Sequence, residues 1–221
     1  VVRVYLPQQE VSEGIVTLQI IEAVFGGTQL EGAAPSRVKQ SQLLDAIKAA
    51  QAQGSPLNAD QLDRALLLLD DLPGISVSGS LQKGQGNNET ALALKVSDEA
   101  MVNGELVIDN TGASATGVNR ATGSLSVNSP FGFGDLATAN LIYSRGSQYG
   151  RLSYSIPVSD EGWRVGANTS YLKYNLVTSD FKLLDALGSS SSVGLDAYYP
   201  LIRSRKSNVY LGLHALEKHF N

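Results

Sequence analysis

The sequence contains no cysteine, which excludes disulfides, thiolate metal centres and cysteine nucleophiles. Histidine is nearly absent too, with His214 and His219 the only two. No apolar run approaches the roughly 20 residues that a membrane-crossing helix needs. Mean hydropathy is −0.05 and hydrophobic content 43%, too polar for a helical membrane protein. A strand-built barrel escapes that exclusion, because only alternate residues of its strands face lipid. A surplus of positive charge is also missing: 17 Lys and Arg stand against 21 Asp and Glu, so there is no electrostatic footprint for nucleic acid. The chain opens on Val1-Val2-Arg3-Val4-Tyr5 with no signal peptide, an opening expected of a processed or truncated chain.

What is present centres on the stretch from Leu62 to Gly74. Leu62, Ala65, Leu66 and Leu69 recur at i, i+3, i+4 and i+7, which places them on one helical face. Asn58 can cap that helix, with Gln61 three residues on. Leu72-Pro73-Gly74 ends it, because the residue before a proline avoids helical geometry and glycine takes positive φ cheaply. Ile75-Ser76-Val77-Ser78-Gly79-Ser80-Leu81 follows at once and alternates as a strand does. Upstream, the pattern predicts strands Val1–Leu6, Gly14–Ala23 and Val24–Leu30, then a helix over Ser41–Gln53 closed by Gly54. Downstream, a polar turn Lys83–Glu89 leads to strand Thr90–Val96. From Val24 onward the order is β-α-α-β-β, an α+β unit of three strands and two covering helices.

Character changes near Asp98–Gly104. Residues 1–100 hold seven basic against twelve acidic residues, and the remainder ten against nine. Eight of the nine tyrosines and the only tryptophan follow residue 100. There the helical period disappears and short alternating strands take over, near Glu105–Asp109, Arg120–Val127, Leu136–Tyr143, Tyr149–Ile156, Trp163–Tyr174, Val193–Tyr199 and Asn208–Leu216. Asn128–Asp135 and Val158–Gly162 read as compact turns, Asn175–Ser192 as a long loop. Such strands suit a soluble sandwich or a membrane barrel. Tyr143, Tyr149, Trp163, Tyr174, Tyr198, Tyr199 and Tyr210 fall near strand ends, as in the aromatic girdles of a barrel.

Certain motifs go further. The run from Arg64 to Gly74 resembles the helix-to-strand junction of the second POTRA domain in two-partner secretion transporters. These form the hemolysin-activator and filamentous-hemagglutinin-transporter family, within the superfamily of POTRA-bearing outer-membrane barrels. Tyr5–Gln9 with Gly14–Glu22 resembles the end of that family's first POTRA domain. Val107–Gly112, Asn128–Asp135 and Tyr199–Arg205 resemble its first barrel strands and turns. The resemblance implies three parts: residues 1–23 as the end of a first POTRA domain, 24–98 as the second, and 99–221 as the N-terminal strands of an antiparallel transmembrane β-barrel. It implies a passive pore in the outer membrane of a Gram-negative bacterium, with the POTRA part in the periplasm and a secreted exoprotein carrying a β-helical secretion domain as partner. Lipid would surround the barrel, and no cofactor, nucleic acid or small-molecule substrate is implied. Seven strands make no finished bacterial barrel, whose strand number is even, so the chain is expected to be a fragment. Two other readings remain: an assembly factor of the same superfamily, and a soluble secreted β-rich binding module.

No catalytic constellation emerges. His214 and His219, five apart on a strand, point to opposite faces, which suits neither a metal nor an acid–base pair. Gly26-Gly27 and Phe131–Gly134 lack the helix that a phosphate loop requires. Asp70-Asp71 stands at a helix C-terminus, electrostatically unfavourable unless partnered. The candidate site is a backbone one. In the POTRA arrangement the strand after the second helix, here Ile75, Ser76, Val77, Ser78, Gly79, Ser80 and Leu81, lies at the sheet edge. An edge offers unpaired N–H and C=O groups to an extended substrate.

Overall fold

The computed structural model describes residues 2–9, 14–86, 88–178 and 187–221. Two compact units emerge, one of residues 1–35, 39–71 and 75–97, the other of residues 36–38, 72–74 and 98–221.

The first unit begins with a two-stranded antiparallel pair, β1 (Val2–Tyr5) and β2 (Gln19–Glu22). The expected strand from Gly14 is shorter than predicted because Gln9 stands in for a partner strand. Its side-chain Nε2 donates to Thr17 O at 2.8 Å and its Oε1 accepts from Thr17 N at 2.7 Å. Residues 10–13 of this connection lie outside the described residues.

Strand β3 (Val24–Glu31) leads to helix α1 (Gln40–Ala50), helix α2 (Ala59–Asp70), strand β4 (Ile75–Lys83) and strand β5 (Glu89–Asp98). Helix α1 stops three residues before the predicted end, and Gln51 is the cause. Only 4% exposed, its Nε2 donates to Ser55 Oγ and Pro56 O, while its Oε1 accepts from Asn58 N at 2.9 Å. One buried amide thus holds the whole α1–α2 turn. Asn58 then caps α2 as expected, accepting from the N–H groups of Asp60 and Gln61. Leu62, Ala65, Leu66 and Leu69 are all buried. The sheet order is β3-β5-β4, with β3 parallel to β5. The core lies between this sheet and the helices, built on Phe25, Leu43, Ile47, Ile75, Leu92 and Leu94.

The second unit is a seven-stranded antiparallel meander in chain order: β6 (Val102–Asp109), β7 (Arg120–Asn128), β8 (Leu136–Ser144), β9 (Ser147–Pro157), β10 (Arg164–Asn175), β11 (Leu187–Arg203) and β12 (Asn208–Phe220). The predicted loop Asn175–Ser192 is corrected in its second half, since Ser189–Ser192 pair with Ser170–Lys173 inside β11. Residues 179–186 of that connection lie outside the described residues. The connection between the predicted strands Val193–Tyr199 and Asn208–Leu216 is likewise shorter, because β11 continues to Arg203 through a bulge between Pro200 and Ile202.

Candidate functional site: an open strand edge and a two-faced sheet

Strand β4 ends its sheet on one side, so one row of its backbone groups faces away from β5. The first group in that row is already committed. Asp70, the last residue of α2, accepts from Val77 N at 2.7 Å and from Ser76 Oγ at 3.3 Å. The carboxylate that looked unfavourable at a helix C-terminus therefore covers the start of the edge. Backbone direction alternates along a strand, so Gly79 and Leu81 turn their N–H and C=O groups to the same side as Val77. The open edge is then Gly79–Lys83, the C-terminal half of the strand.

The predicted site residues divide accordingly. Ile75 and Val77 are buried at 2% and 8% exposure, under the helices. Ser76, Ser78 and Ser80 are exposed on the other face. Gly79 follows from close packing: a Cβ there would meet the two δ carbons of Leu66 at 2.7 and 2.9 Å and Leu92 Cδ1 at 2.9 Å. Helix α2 sits down on the strand where a side chain would otherwise be. Leu81 lies beyond that contact, 42% exposed.

In the second unit the register sorts every strand into two faces. Asp196 stands opposite His214, Ser170 opposite Ser192 and Arg151, and Ser153 opposite Thr138 and Asn168. These side chains are joined by hydrogen bonds: Asp196 Oδ1 to His214 Nδ1 at 2.7 Å, Asn168 Nδ2 to Asp196 Oδ2 at 2.6 Å, Ser170 Oγ to Ser192 Oγ at 2.7 Å. Asn168, Ser170, Ser192, Asp196 and His214 line a hollow of about 340 Å³ together with Arg151 and Lys218. Among the described residues, no group of three or more His, Asp or Glu is placed to hold a metal.

The opposite face is predominantly apolar. Leu125, Leu141, Leu152, Val193, Leu195 and Leu213 are all between 45% and 64% exposed, far beyond what a water-facing surface of this size commonly carries. Tyr143 and Tyr171 mark one end of it; Phe131, Tyr154 and Trp163 stacked on Tyr199 mark the other. Trp163 and Tyr171 are eight residues apart, about 26 Å along a strand and about 20 Å in height at a 40° tilt. The same face also carries Glu217 opposite Val193 and His219 opposite Ser191, the two paired with each other at 3.1 Å. The girdle expected from the tyrosines is corrected in membership: Tyr149, Tyr174, Tyr198 and Tyr210 share the parity of the polar face.

The turn between β7 and β8 is built on Asp135, which is fully buried. Its carboxylate accepts from the N–H groups of Phe131 and Phe133 and from Tyr154 Oη at 2.9 Å. Ser129 and Asp98 tie down residues 36–38 in the same unit. Ser129 Oγ donates to Arg37 O at 2.6 Å, and the Asp98 carboxylate accepts from Ser36 N, Ser36 Oγ and Arg37 N. Partial burial opposes ionisation of Asp98, but the Ser36 and Arg37 hydrogen bonds and the Arg37 charge outweigh it and hold its carboxyl below the usual value.

Known proteins share this arrangement. A family model described as "Haemolysin secretion/activation protein ShlB/FhaC/HecB" matches residues 88–220. The heme/hemopexin transporter protein HuxB of Haemophilus influenzae (strain 86-028NP) is 26% identical over 206 residues, covering 92% of this chain and 36% of HuxB. The outer membrane transporter CdiB of Escherichia coli O6:K15:H31 is 26% identical over 134 residues, covering 60% of this chain and 22% of CdiB. The chain thus spans about a third of the length of the curated relatives it matches. Among solved structures, CdiB from Escherichia coli superposes on the whole chain with a TM-score of 0.70 at 19% identity, over 41% of its own length. BamA from Haemophilus ducreyi lacking POTRA domains 1-3 gives 0.56 at 17% identity, also over the whole chain and 41% of its own. At these identities the likeness to either solved structure is one of fold alone. The chain belongs to the ShlB/FhaC/HecB family of haemolysin secretion/activation proteins.

Proposed function

We propose that this chain is the receptor part and the first wall strands of an outer-membrane translocation pore that exports a large partner exoprotein. The observation that carries the reading is the sheet with one predominantly apolar face, banded by aromatics, and one hydrogen-bonded polar face. A spanning barrel needs lipid outside and water inside. On this reading residues 1–23 end a first POTRA domain, 24–98 form the second and 99–221 begin the barrel, whose other strands lie outside this chain. The partner is a secreted protein with a β-helical secretion domain. It is caught in the periplasm while extended, adding as a strand to Gly79–Lys83. The family's description as haemolysin secretion/activation proteins supports an exported protein as cargo.

Topology follows from chain order. The chain passes from β5 directly into β6, so the start of β6 faces the periplasm and the connections after β6, β8 and β10 face outward. The chain has no cysteine, so single cysteines at Ser114 and Ser207 in thiol-free full-length protein report each side. An impermeant maleimide on intact cells is expected to label position 114 and spare 207. The reverse pattern overturns the orientation. Exoprotein that still reaches the medium from cells lacking the transporter overturns the export reading.

A further inference from the structure

On the polar face one register row runs long, short, short, long: Arg151 of β9 stands opposite Ser170, Ser170 opposite Ser192, and Ser192 opposite Lys218. The two serines leave open the space between the longer side chains at either end, and the hollow of about 340 Å³ lies there. Three strand spacings, about 14 Å, separate the backbones of Arg151 and Lys218, and both side chains border the hollow. Its floor is fixed in place, since Ser192 and Asn168 are only 6% and 8% exposed. Ser170 Oγ and Ser192 Oγ share one hydrogen bond at 2.7 Å, so whichever hydroxyl accepts keeps a proton to donate.

We propose that this hollow is an anion site that takes the carboxylate of an aspartate or glutamate side chain on the polypeptide in transit. The inference rests on the pore reading above, in which the polar face is the wet wall. Charge selects the occupant. Among the described residues neither Arg151 nor Lys218 has an ion pair. The Lys218 ammonium lies 6.0 Å from the Phe220 ring centroid, a contact that orients it and leaves its charge uncancelled. Asp196, the acid among the lining residues, spends one oxygen on His214 and the other on Asn168. Glu105 shares the row but lies beyond Asn140 and Ser124, outside the hollow. Two cations against one carboxylate leave the space net positive. Two charged donors with a hydroxyl between them suit the paired oxygens of an incoming carboxylate. Shape then favours a side chain over a bare ion. Tyr149, Leu172 and Leu216 line the same space and can cover the methylene stem of a glutamate. Its volume is also about ten times the roughly 30 Å³ that one water takes in the liquid.

The test uses full-length protein in planar lipid bilayers, with single-pore current read while a peptide of alternating glutamate and serine is added on the POTRA side. A peptide of alternating glutamine and serine is the comparison. Wild type is expected to be blocked about tenfold longer by the glutamate peptide, equivalent to roughly 1.4 kcal/mol. Arg151→Gln and Lys218→Gln should each remove most of that difference. Ser170→Leu fills the hollow and keeps both cations, so it should shorten the glutamate block as much while leaving ion selectivity at its wild-type value. Ser170→Ala with Ser192→Ala removes hydroxyls and no charge, gives a milder loss, and serves in its place where Ser170→Leu does not fold. Lys173→Gln, on the other face of β10, should change nothing. Equal block by the two peptides in wild type overturns the anion site. A glutamate block unchanged by the serine variants reduces the effect to a diffuse positive field and overturns the hollow, as does equal loss in Lys173→Gln. Inorganic phosphate that relieves the block as well as free glutamate does overturns the assignment of a carboxylate side chain. Wild type that conducts no ions in the bilayer overturns the pore reading itself, a separate outcome.

Discussion

Proline at Leu81 discriminates backbone recognition from side-chain recognition at the β4 edge. Leu81 turns its N–H away from β5, on the side where Val77 N meets Asp70. Removing that donor breaks no bond within the sheet, and proline is tolerated on an edge strand. An added substrate strand would lose one backbone hydrogen bond, worth about 0.5–1.5 kcal/mol net. That corresponds to about a 2- to 12-fold rise in Kd. Leu81→Ala keeps the donor and trims a side chain that is 42% exposed, so its effect should stay under about 2-fold. The assay is titration of full-length protein with a peptide from the exoprotein's secretion domain, on variants with wild-type circular dichroism and melting. Val77→Pro is a poorer probe, because it removes the N–H that Asp70 receives and so perturbs folding. Nor is Gly79→Pro clean, since any Cβ there meets Leu66. Equal weakening by Leu81→Pro and Leu81→Ala would refute strand addition at this edge.

Two further predictions concern stability. Gly79→Ala should destabilise the first unit by about 1–3 kcal/mol through overpacking, because Leu66 and Leu92 are 9% and 1% exposed and have little room to rotate. The cost should shrink when Leu66→Ala is added, and an unchanged thermal midpoint for Gly79→Ala alone would contradict the packing argument. Asp98 is held ionised below its usual range, so its grip on Ser36 and Arg37 should be complete above about pH 4. It should weaken as pH falls through the lower folded value, measured as faster amide exchange at Ser36 and Arg37; Asp98→Asn should show fast exchange at neutral pH and no such acid transition.

Much of the first unit was legible because its signals are local. Leu62, Ala65, Leu66 and Leu69 repeat at a helical spacing, Asn58 stands where a cap belongs, and Leu72-Pro73-Gly74 ends the helix. The edge position of β4 was implied by the POTRA resemblance, yet its usable half was not legible. Asp70 reaches Val77 seven residues on, and only the fold brings a helix end against the first turn of the next strand. Gln51 escaped notice for a related reason. A glutamine near a helix end reads as surface polarity, and nothing local says that three partners from one turn will converge on it.

In the second unit the missing quantity was register. Alternation along one strand separates two faces but does not say which residues of the next strand share them. That is why Ser189–Ser192 looked like a loop: four serines in a row carry no alternation, although each pairs with β10. It is also why tyrosines near strand ends were counted together when parity divides them. Asp196 and His214 are eighteen residues apart, and their meeting depends on a single pairing of β11 with β12. A slip of one residue in that pairing would set Asp196 on the face of Leu213 and Ala215, at a cost of several kcal/mol for a charge placed against hydrocarbon. The polar pairs on that face therefore do more than tolerate water: they penalise the wrong register, and so keep Leu195, Leu213 and the stacked Trp163 and Tyr199 aligned on the other side.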